Sequence, residues 1–208
     1  MNEYFCLCIH YYIFMATSQY KKMSLEDLII NSQKDDLKAL EELIRREQKN
    51  VFAAFSYLSK KRENVADLTQ ETLLKVAKNI HTLKNPKNFK SWINQIITNL
   101  FYDELRKHQR RPEVISIDED GHEDMIKTQL PDKRCKPHEK CLSIELEQLI
   151  KEAILDLPEQ FRIAIILREL QGLSYEEIAE VTNSSIGTVK SRIARARGKL
   201  QDGLRSYI

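Results

Sequence analysis

Apolar residues recur at helical spacing in both halves of the chain, and this periodicity limits the fold more than any other feature. Phe89, Trp92, Ile93, Ile96 and Leu100 lie at offsets of 3, 4, 7 and 11 along one stripe of a long helix. No alternation of apolar and polar residues is long enough to build a sheet. Glycine is rare, with five in the chain. The sequence therefore predicts an all-α protein.

A polar segment separates the two helical parts. Between Glu113 and Lys140 the apolar periodicity is weak, prolines recur, and five acidic residues fall between Asp118 and Asp124. Such a segment cannot bury enough apolar surface to fold by itself. We therefore predict two small helical domains, at residues 24–112 and 143–208, joined by a flexible linker at residues 113–142.

Residues 1–23 precede the first helical pattern as an N-terminal extension, and its beginning is mostly apolar. This stretch is too short to span a bilayer, and it lacks the basic start of a signal peptide. We interpret the extension as a disordered segment, a peripheral anchor or a misassigned start, with Met15 or Met23 as the true first residue. No stable membrane insertion is expected. The protein is expected in the cytoplasm, with its four cysteines reduced.

Residues 173–200 carry the pattern of a helix-turn-helix motif, so the C-terminal domain should contain one. Ser174 and Glu177 have the spacing of a capping box, which predicts that the first helix begins at Tyr175. Residues 182–184 supply a turn, and a serine at its end can cap the second helix.

The second helix of this motif has an apolar face and a polar face. The expected inner face contains Ile186, Val189 and Ile193. The expected outer face, which we call the reading face, contains Thr188, Lys190, Ser191, Arg192 and Arg195. Arginine can bind guanine with two hydrogen bonds, and lysine, serine and threonine can hold phosphates. Capping, turn and charge together favour DNA binding over a plain helical hairpin with a basic surface.

Three segments resemble a known protein family. DLPEQFRIAIILRELQGLSYEEIAEVTNSSIGTVKSRIARARGKL is similar to region 4 of the extracytoplasmic-function (ECF) sigma factors of RNA polymerase. NVADLTQETLLKVAKNI resembles their region 2.2, and FKSWINQIITNLFYDELRKHQRRP resembles their regions 2.3 and 2.4. Many regulators have a helix-turn-helix motif, but these blocks in this order are typical of the sigma family.

The resemblance implies a function and a set of partners. Region 2 of the family binds the clamp helices of the largest polymerase subunit and opens the minus-ten promoter element. Region 4 reads the minus-thirty-five element and contacts the flap of the second-largest subunit. Family members are often held inactive by an anti-sigma factor. The resemblance also implies that the chain is not an enzyme and needs no cofactor.

The resemblance assigns site residues by matching position. The polymerase contact is assigned to Asp67, Gln70, Glu71 and Leu74, which fall on one helix face. The minus-ten contact is assigned to Thr98, Asn99, Leu100, Phe101, Arg106, Lys107, Arg110 and Arg111. Within that set, Asn99 corresponds to a loop position beside a flipped-out base. The stripe assigns Trp92 to the core, whereas Tyr102 lies off it and is the better candidate for stacking on a base.

Motifs of catalysis are absent from the sequence, which has no P-loop, no H-E-x-x-H and no G-x-S-x-G. Cys135, His138 and Cys141 could ligate a metal, but their spacing fits no common zinc pattern, so no metal is expected. Two alternatives stay open. One is a transcription regulator whose N-terminal half senses a signal or dimerises. The other is a DNA recombinase, which would need an α/β catalytic domain.

Overall fold

A computed structural model of the chain describes residues 19–61, 63–110 and 137–205. All regular secondary structure within these ranges is helical, as the periodicity predicts. The described residues fall into an N-terminal unit, residues 19–110, and a C-terminal unit, residues 137–205.

Four helices build the N-terminal unit. They are α1 (Leu25–Ser32), α2 (Leu37–Leu58), α3 (Glu63–Asn79) and α4 (Phe89–Arg110). Their buried faces include Leu43, Phe55, Val76 and Ile93, all 3% exposed or less. A short 3-10 turn at Pro86–Asn88 leads into α4, because proline fits the first position of a helix.

The N-terminal unit begins before residue 24, the boundary expected from the sequence. Residues 19–22 form a helical turn. Arg46 holds this turn by donating hydrogen bonds to the carbonyls of Tyr20 and Met23, at 2.9 Å each. Hydrogen bonds from Arg45, assisted by Arg46, outweigh desolvation and lower the pKa of Glu42 to about 2. Residues 1–18 lie outside the described residues.

Four helices also build the C-terminal unit. They are α5 (Pro137–Leu155), α6 (Glu159–Ile165), α7 (Tyr175–Val181) and α8 (Ile186–Leu204). A π-helical turn at Ile166–Leu170 extends α6, and Gly172 then reverses the chain with φ at +66°. This left-handed conformation is readily adopted only by glycine. Helix α5 starts at Pro137, inside the stretch 113–142 that the sequence assigned to the linker, and residues 111–136 lie outside the described ranges.

The two units are in contact. Helix α4 packs against α7, and α2 packs against α5 and α6. The buried apolar residues of both units consequently form one continuous cluster. The sequence predicted two helical domains, and their direct packing is a feature that the sequence did not indicate.

Candidate nucleic-acid interface

The helix-turn-helix motif has the local geometry that its sequence predicts. The Ser174 hydroxyl accepts a hydrogen bond from the Glu177 backbone N–H at 3.1 Å, and the Glu177 carboxylate accepts one from the Ser174 N–H at 2.7 Å. This confirms the capping box. Asn183 adopts a left-handed conformation in the turn, with φ at +47°. Ser185 caps α8 by accepting a hydrogen bond from the Thr188 N–H.

Helix α8 exposes most of the reading face. Its inner face consists of Val189, Ile193 and Ala196, each 2% exposed or less. Of the reading face, Lys190, Ser191 and Arg195 are exposed, while Thr188 and Arg192 are half-buried. The prediction that Ile186 belongs to the inner face is wrong, because its side chain is 41% exposed in the first turn of the helix.

Two contacts of the reading face could not be found from sequence spacing. The Lys190 ammonium lies 5.9 Å from the centre of the Tyr175 ring, and the Arg168 guanidinium lies 4.8 Å from the same ring. Arg192 donates a hydrogen bond to the Gln160 side chain at 3.1 Å. The Tyr175 ring therefore orients Lys190 of the reading face. The same ring also holds a second cation, Arg168, beside that face.

Helix α4 exposes fewer of the residues predicted to contact DNA than α8 does. Asn99 is exposed, but Thr98, Leu100 and Phe101 are buried, with exposures of 1%, 4% and 3%. Asn99 also lies within the continuous helix Phe89–Arg110, so the prediction of a loop there is wrong for this conformation. The three buried residues cannot touch DNA while α4 is packed as it is here.

The basic end of α4 is on the surface. Arg106 forms an ion pair with Asp103 at 3.2 Å, and Lys107 forms one with Glu104 at 3.7 Å. Arg106 and Lys107 are both exposed, and surface ion pairs contribute little stability, so phosphates can compete with the carboxylates for these cations. The Arg110 side chain and all of Arg111 lie outside the described residues.

Trp92 and Tyr102 of α4 are both partly buried. Trp92 packs on the apolar cluster with its ring centre 6.0 Å from that of Phe89, as expected for a core position. Tyr102 was expected to be the more exposed of the two. It is instead half-buried, and burial is the main cause that raises the pKa of its hydroxyl, with Arg192 opposing the shift and Glu159 adding to it.

Helix α3 presents a polar face with one large apolar residue. Asp67, Gln70 and Glu71 are exposed, and Leu74 beside them is 59% exposed. The buried face of the helix, which includes Val65 and Val76, lies on the opposite side. An exposed leucine among acidic residues suits a basic helical partner with an apolar groove.

Neither a metal cluster nor a membrane span is found among the residues that the structure describes. No group of three or more histidine, cysteine, aspartate or glutamate side chains within them could hold a metal ion. The side chains of Cys135, His138 and Cys141 lie outside the described set. Within the same ranges, no helix is long and apolar enough to cross a bilayer.

Comparison with protein families finds matches in both units. Residues 43–111 match the family described as sigma-70 region 2, and residues 147–200 match sigma-70 region 4. The ECF RNA polymerase sigma-E factor of Haemophilus influenzae is 33% identical over 186 residues, which span 88% of this chain and 96% of that protein. The sigma-E factor of Escherichia coli K12 is 34% identical over 182 residues, spanning 87% and 94%.

Two solved structures have a similar fold. The sigma factor RpoE of Bartonella quintana, solved in complex with the anti-sigma factor NepR, is 28% identical. It aligns with a TM-score of 0.63 over 81% of this chain and 98% of its own. CnrH, solved with the cytosolic domain of CnrY, aligns with a TM-score of 0.61 at 21% identity, over 88% and 97% of the two chains. The second likeness concerns the fold alone.

Proposed function

The chain belongs to the ECF sigma factors of RNA polymerase, and we propose which of its surfaces carry out the steps of promoter recognition. As a member of that family it binds core RNA polymerase, directs it to promoters and initiates transcription. Sigma factors are initiation factors. We infer that this chain supplies no catalytic step and acts in the cytoplasm beside the polymerase.

The reading face of α8 contacts the minus-thirty-five element. The observation that carries this assignment is the exposure of Lys190, Ser191 and Arg195 on a helix whose other side is buried. In a helix-turn-helix motif the second helix lies in the major groove, where its first turns reach base edges. Arg195 and Arg192 have the chemistry to bind guanine, and Lys190 has the chemistry to bind phosphate.

Helix α4 contacts the minus-ten element. Asn99 is exposed, and an amide side chain can hydrogen-bond the edge of an unstacked base. Arg106 and Lys107 lie two turns further along the helix, where they can hold the phosphates of the opened strand. Opening costs roughly 1.4 kcal/mol per stacked step, and base capture offsets part of that cost.

The face of α3 formed by Asp67, Gln70, Glu71 and Leu74 binds the clamp helices of the largest polymerase subunit. The C-terminal unit sits on the flap of the second-largest subunit. Polymerase thereby holds both DNA-binding units, so that binding of one raises the effective concentration of the other to about millimolar. Neither unit needs high affinity for its own element.

An anti-sigma factor is the regulatory partner that fits this chain. The proposal rests on the similarity to RpoE of Bartonella quintana, which was solved bound to the anti-sigma factor NepR. Pull-down of the full chain with an anti-sigma protein from the same genome, followed by loss of transcription on its addition, tests this partner.

Promoter-dependent run-off transcription with purified core polymerase tests the proposed function. The protein should produce discrete transcripts that core enzyme alone does not, and Asn99→Ala and Arg195→Ala should each reduce them. A regulator would instead bind a palindromic operator without polymerase. Operator binding by the free protein, with no transcript from any genomic template, would overturn the proposal.

A further inference from the structure

A cleft of about 790 Å³ opens beside the contact between the two units. Pockets of this size bind small molecules in many proteins. The connection between α2 and α3 forms one wall together with α4, and the start of α6 forms the other. The units are also joined by a hydrogen bond of 3.5 Å from Asn94 to the Gln171 side chain. The cleft is therefore built from residues that lie far apart in the sequence.

The interior of the cleft is mostly apolar. Both units contribute to it, with Leu58, Phe101, Leu105, Leu157 and Phe161 among the lining residues. Leu105 and Phe161 are only half-buried, so they keep apolar surface in contact with water. A ligand with an apolar body would remove this surface from water, which is the main favourable contribution to binding in such pockets.

A buried arginine lines the same cleft. Arg162 is 5% exposed, and its Nη1 donates a hydrogen bond to the Leu58 carbonyl at 2.7 Å. Its Nη2 donates to the carbonyls of Leu155 and Leu157, at 2.7 and 2.9 Å. Leu58 and Leu155 end α2 and α5, where partial negative charge holds the guanidinium in place. The third nitrogen, Nε, has no hydrogen-bond partner among the described residues, although buried donors are ordinarily paired.

The carboxylates around this guanidinium do not pair with it. Burial lowers the pKa of Arg162, and the nearby charges of Glu159 and Asp156 only oppose that shift. Asp156 instead forms an ion pair with Lys60 at 3.5 Å. No carboxylate within the described ranges forms an ion pair with Arg162, whereas buried charges in proteins usually have a partner. An anion in the cleft would supply that partner.

Two lysines just after α2 add positive charge to the rim of the cleft. Lys60 and Lys61 are both exposed, and both line the cleft. Glu104 lines it as well, but this carboxylate accepts a hydrogen bond from Asn64 at 2.7 Å and forms an ion pair with Lys107 at 3.7 Å. The lysines would attract an anion toward the buried guanidinium.

We propose that this cleft binds a small organic anion, with its apolar body against Leu105 and Phe161 and its charged oxygens between Arg162 Nε and the two rim lysines. The inference goes beyond promoter recognition, because it gives the chain a small-molecule ligand in addition to its protein and DNA partners. Residues of both units line the cleft, so the ligand would bind and stabilise their packed arrangement.

Octanoate is the probe for this site, because it combines a carboxylate with an apolar chain. Its matched control is 1-octanol, which has the same chain without the charge. Isothermal titration calorimetry of the free full chain should show one octanoate site. Octanoate should bind at least about ten-fold more tightly than octanol, since octanol cannot form the charge-assisted hydrogen bond.

Thermal unfolding provides a second measurement on the free chain. Octanoate should raise the temperature of unfolding, since it binds the folded protein and not the unfolded one. Absence of saturable octanoate binding would overturn the proposal and leave Arg162 Nε with water as its partner. Equal affinities for octanoate and octanol would overturn it too, because the cleft would then select apolar ligands and not anions.

Two double variants test the charges at the rim. Lys60→Gln combined with Lys61→Gln should weaken octanoate binding about five-fold, as expected for the loss of two exposed charges. Lys84→Gln combined with Lys87→Gln removes the same charge from exposed positions that do not line the cleft, and it should leave binding unchanged. Equal affinity in the two double variants would contradict the site.

A substitution that fills the cleft tests the position of the apolar body. Leu105→Trp should abolish octanoate binding, because the larger ring takes the place of the ligand. Leu105→Met has nearly the same volume as the native residue and should bind normally. Circular dichroism should show equal helix content in both. Octanoate binding by a folded Leu105→Trp protein would place the ligand elsewhere and overturn the proposal. All these measurements use the free chain, so run-off transcription tests the proposed function separately.

Discussion

Helices α8 and α4 are both assigned to DNA, yet the fold treats them differently. Helix α8 buries one side and leaves Lys190, Ser191 and Arg195 in solvent. Helix α4 has packing partners on two sides and buries Thr98, Leu100 and Phe101. A helix at the edge of a unit can be read from its own periodicity. A helix between two units cannot, because its second partner is remote in sequence.

The largest effect is expected where α4 places a core residue beside an exposed one. Leu100→Ala should lower the free energy of unfolding by about 2–5 kcal/mol, because a leucine that is 4% exposed leaves a cavity. Asn99→Ala should leave stability nearly unchanged and weaken only the use of the minus-ten element. Urea unfolding, monitored by circular dichroism, measures the stability of the two variants. Run-off transcription measures their use of the minus-ten element. A stable Leu100→Ala protein would show that α4 is not packed as described.

The next effect concerns the reading face of α8. Arg195→Ala should weaken recognition of the minus-thirty-five element by about 1–3 kcal/mol, since one bidentate base contact is lost. Lys199→Ala removes a charge from the same helix outside the reading face and is the control. Transcription from promoters with substituted minus-thirty-five bases measures the difference. Identical promoter preference in both variants would remove Arg195 from the interface.

A smaller effect is expected from the capping box. Ser174→Ala should destabilise the C-terminal unit by about 1 kcal/mol, because the Glu177 N–H loses its acceptor at the start of α7. Thermal unfolding measures the loss. Ser24→Ala, which removes the cap of α1 in the N-terminal unit, is the matched control. Unchanged stability in Ser174→Ala would argue against the capping box at the start of α7.

A further effect is a dependence on acid within the N-terminal unit. The pKa of Glu42 is about 2 in the folded chain and 4.5 ordinarily, so its stabilising contribution is complete above about pH 4.5. The contribution is lost as the pH falls from there toward about 2. Glu42→Gln should reduce the change in unfolding free energy between pH 6 and pH 3, whereas Glu41→Gln, at an exposed neighbour, should not. An unchanged pH dependence in Glu42→Gln would argue against the Arg45 and Arg46 contacts.

Local features of the C-terminal unit could be predicted because their determinants lie close together in the chain. Ser174 and Glu177 are three residues apart, and the capping box between them formed as expected. The same reasoning failed for Ile186, whose spacing matched the inner face. Its side chain lies in the first turn of α8, beyond the area that the neighbouring helices cover.

The amino-acid sequence by itself determined the helical class, the helix-turn-helix motif and the family, because periodicity, caps and motif blocks are local patterns. Only the tertiary structure decided which residues of α4 are available to DNA and how the two units meet. Asn94 and Gln171 are 77 residues apart, and Arg162 and Leu58 are 104 apart. Contacts across such separations depend on how whole helices pack, and no spacing within a single helix encodes them.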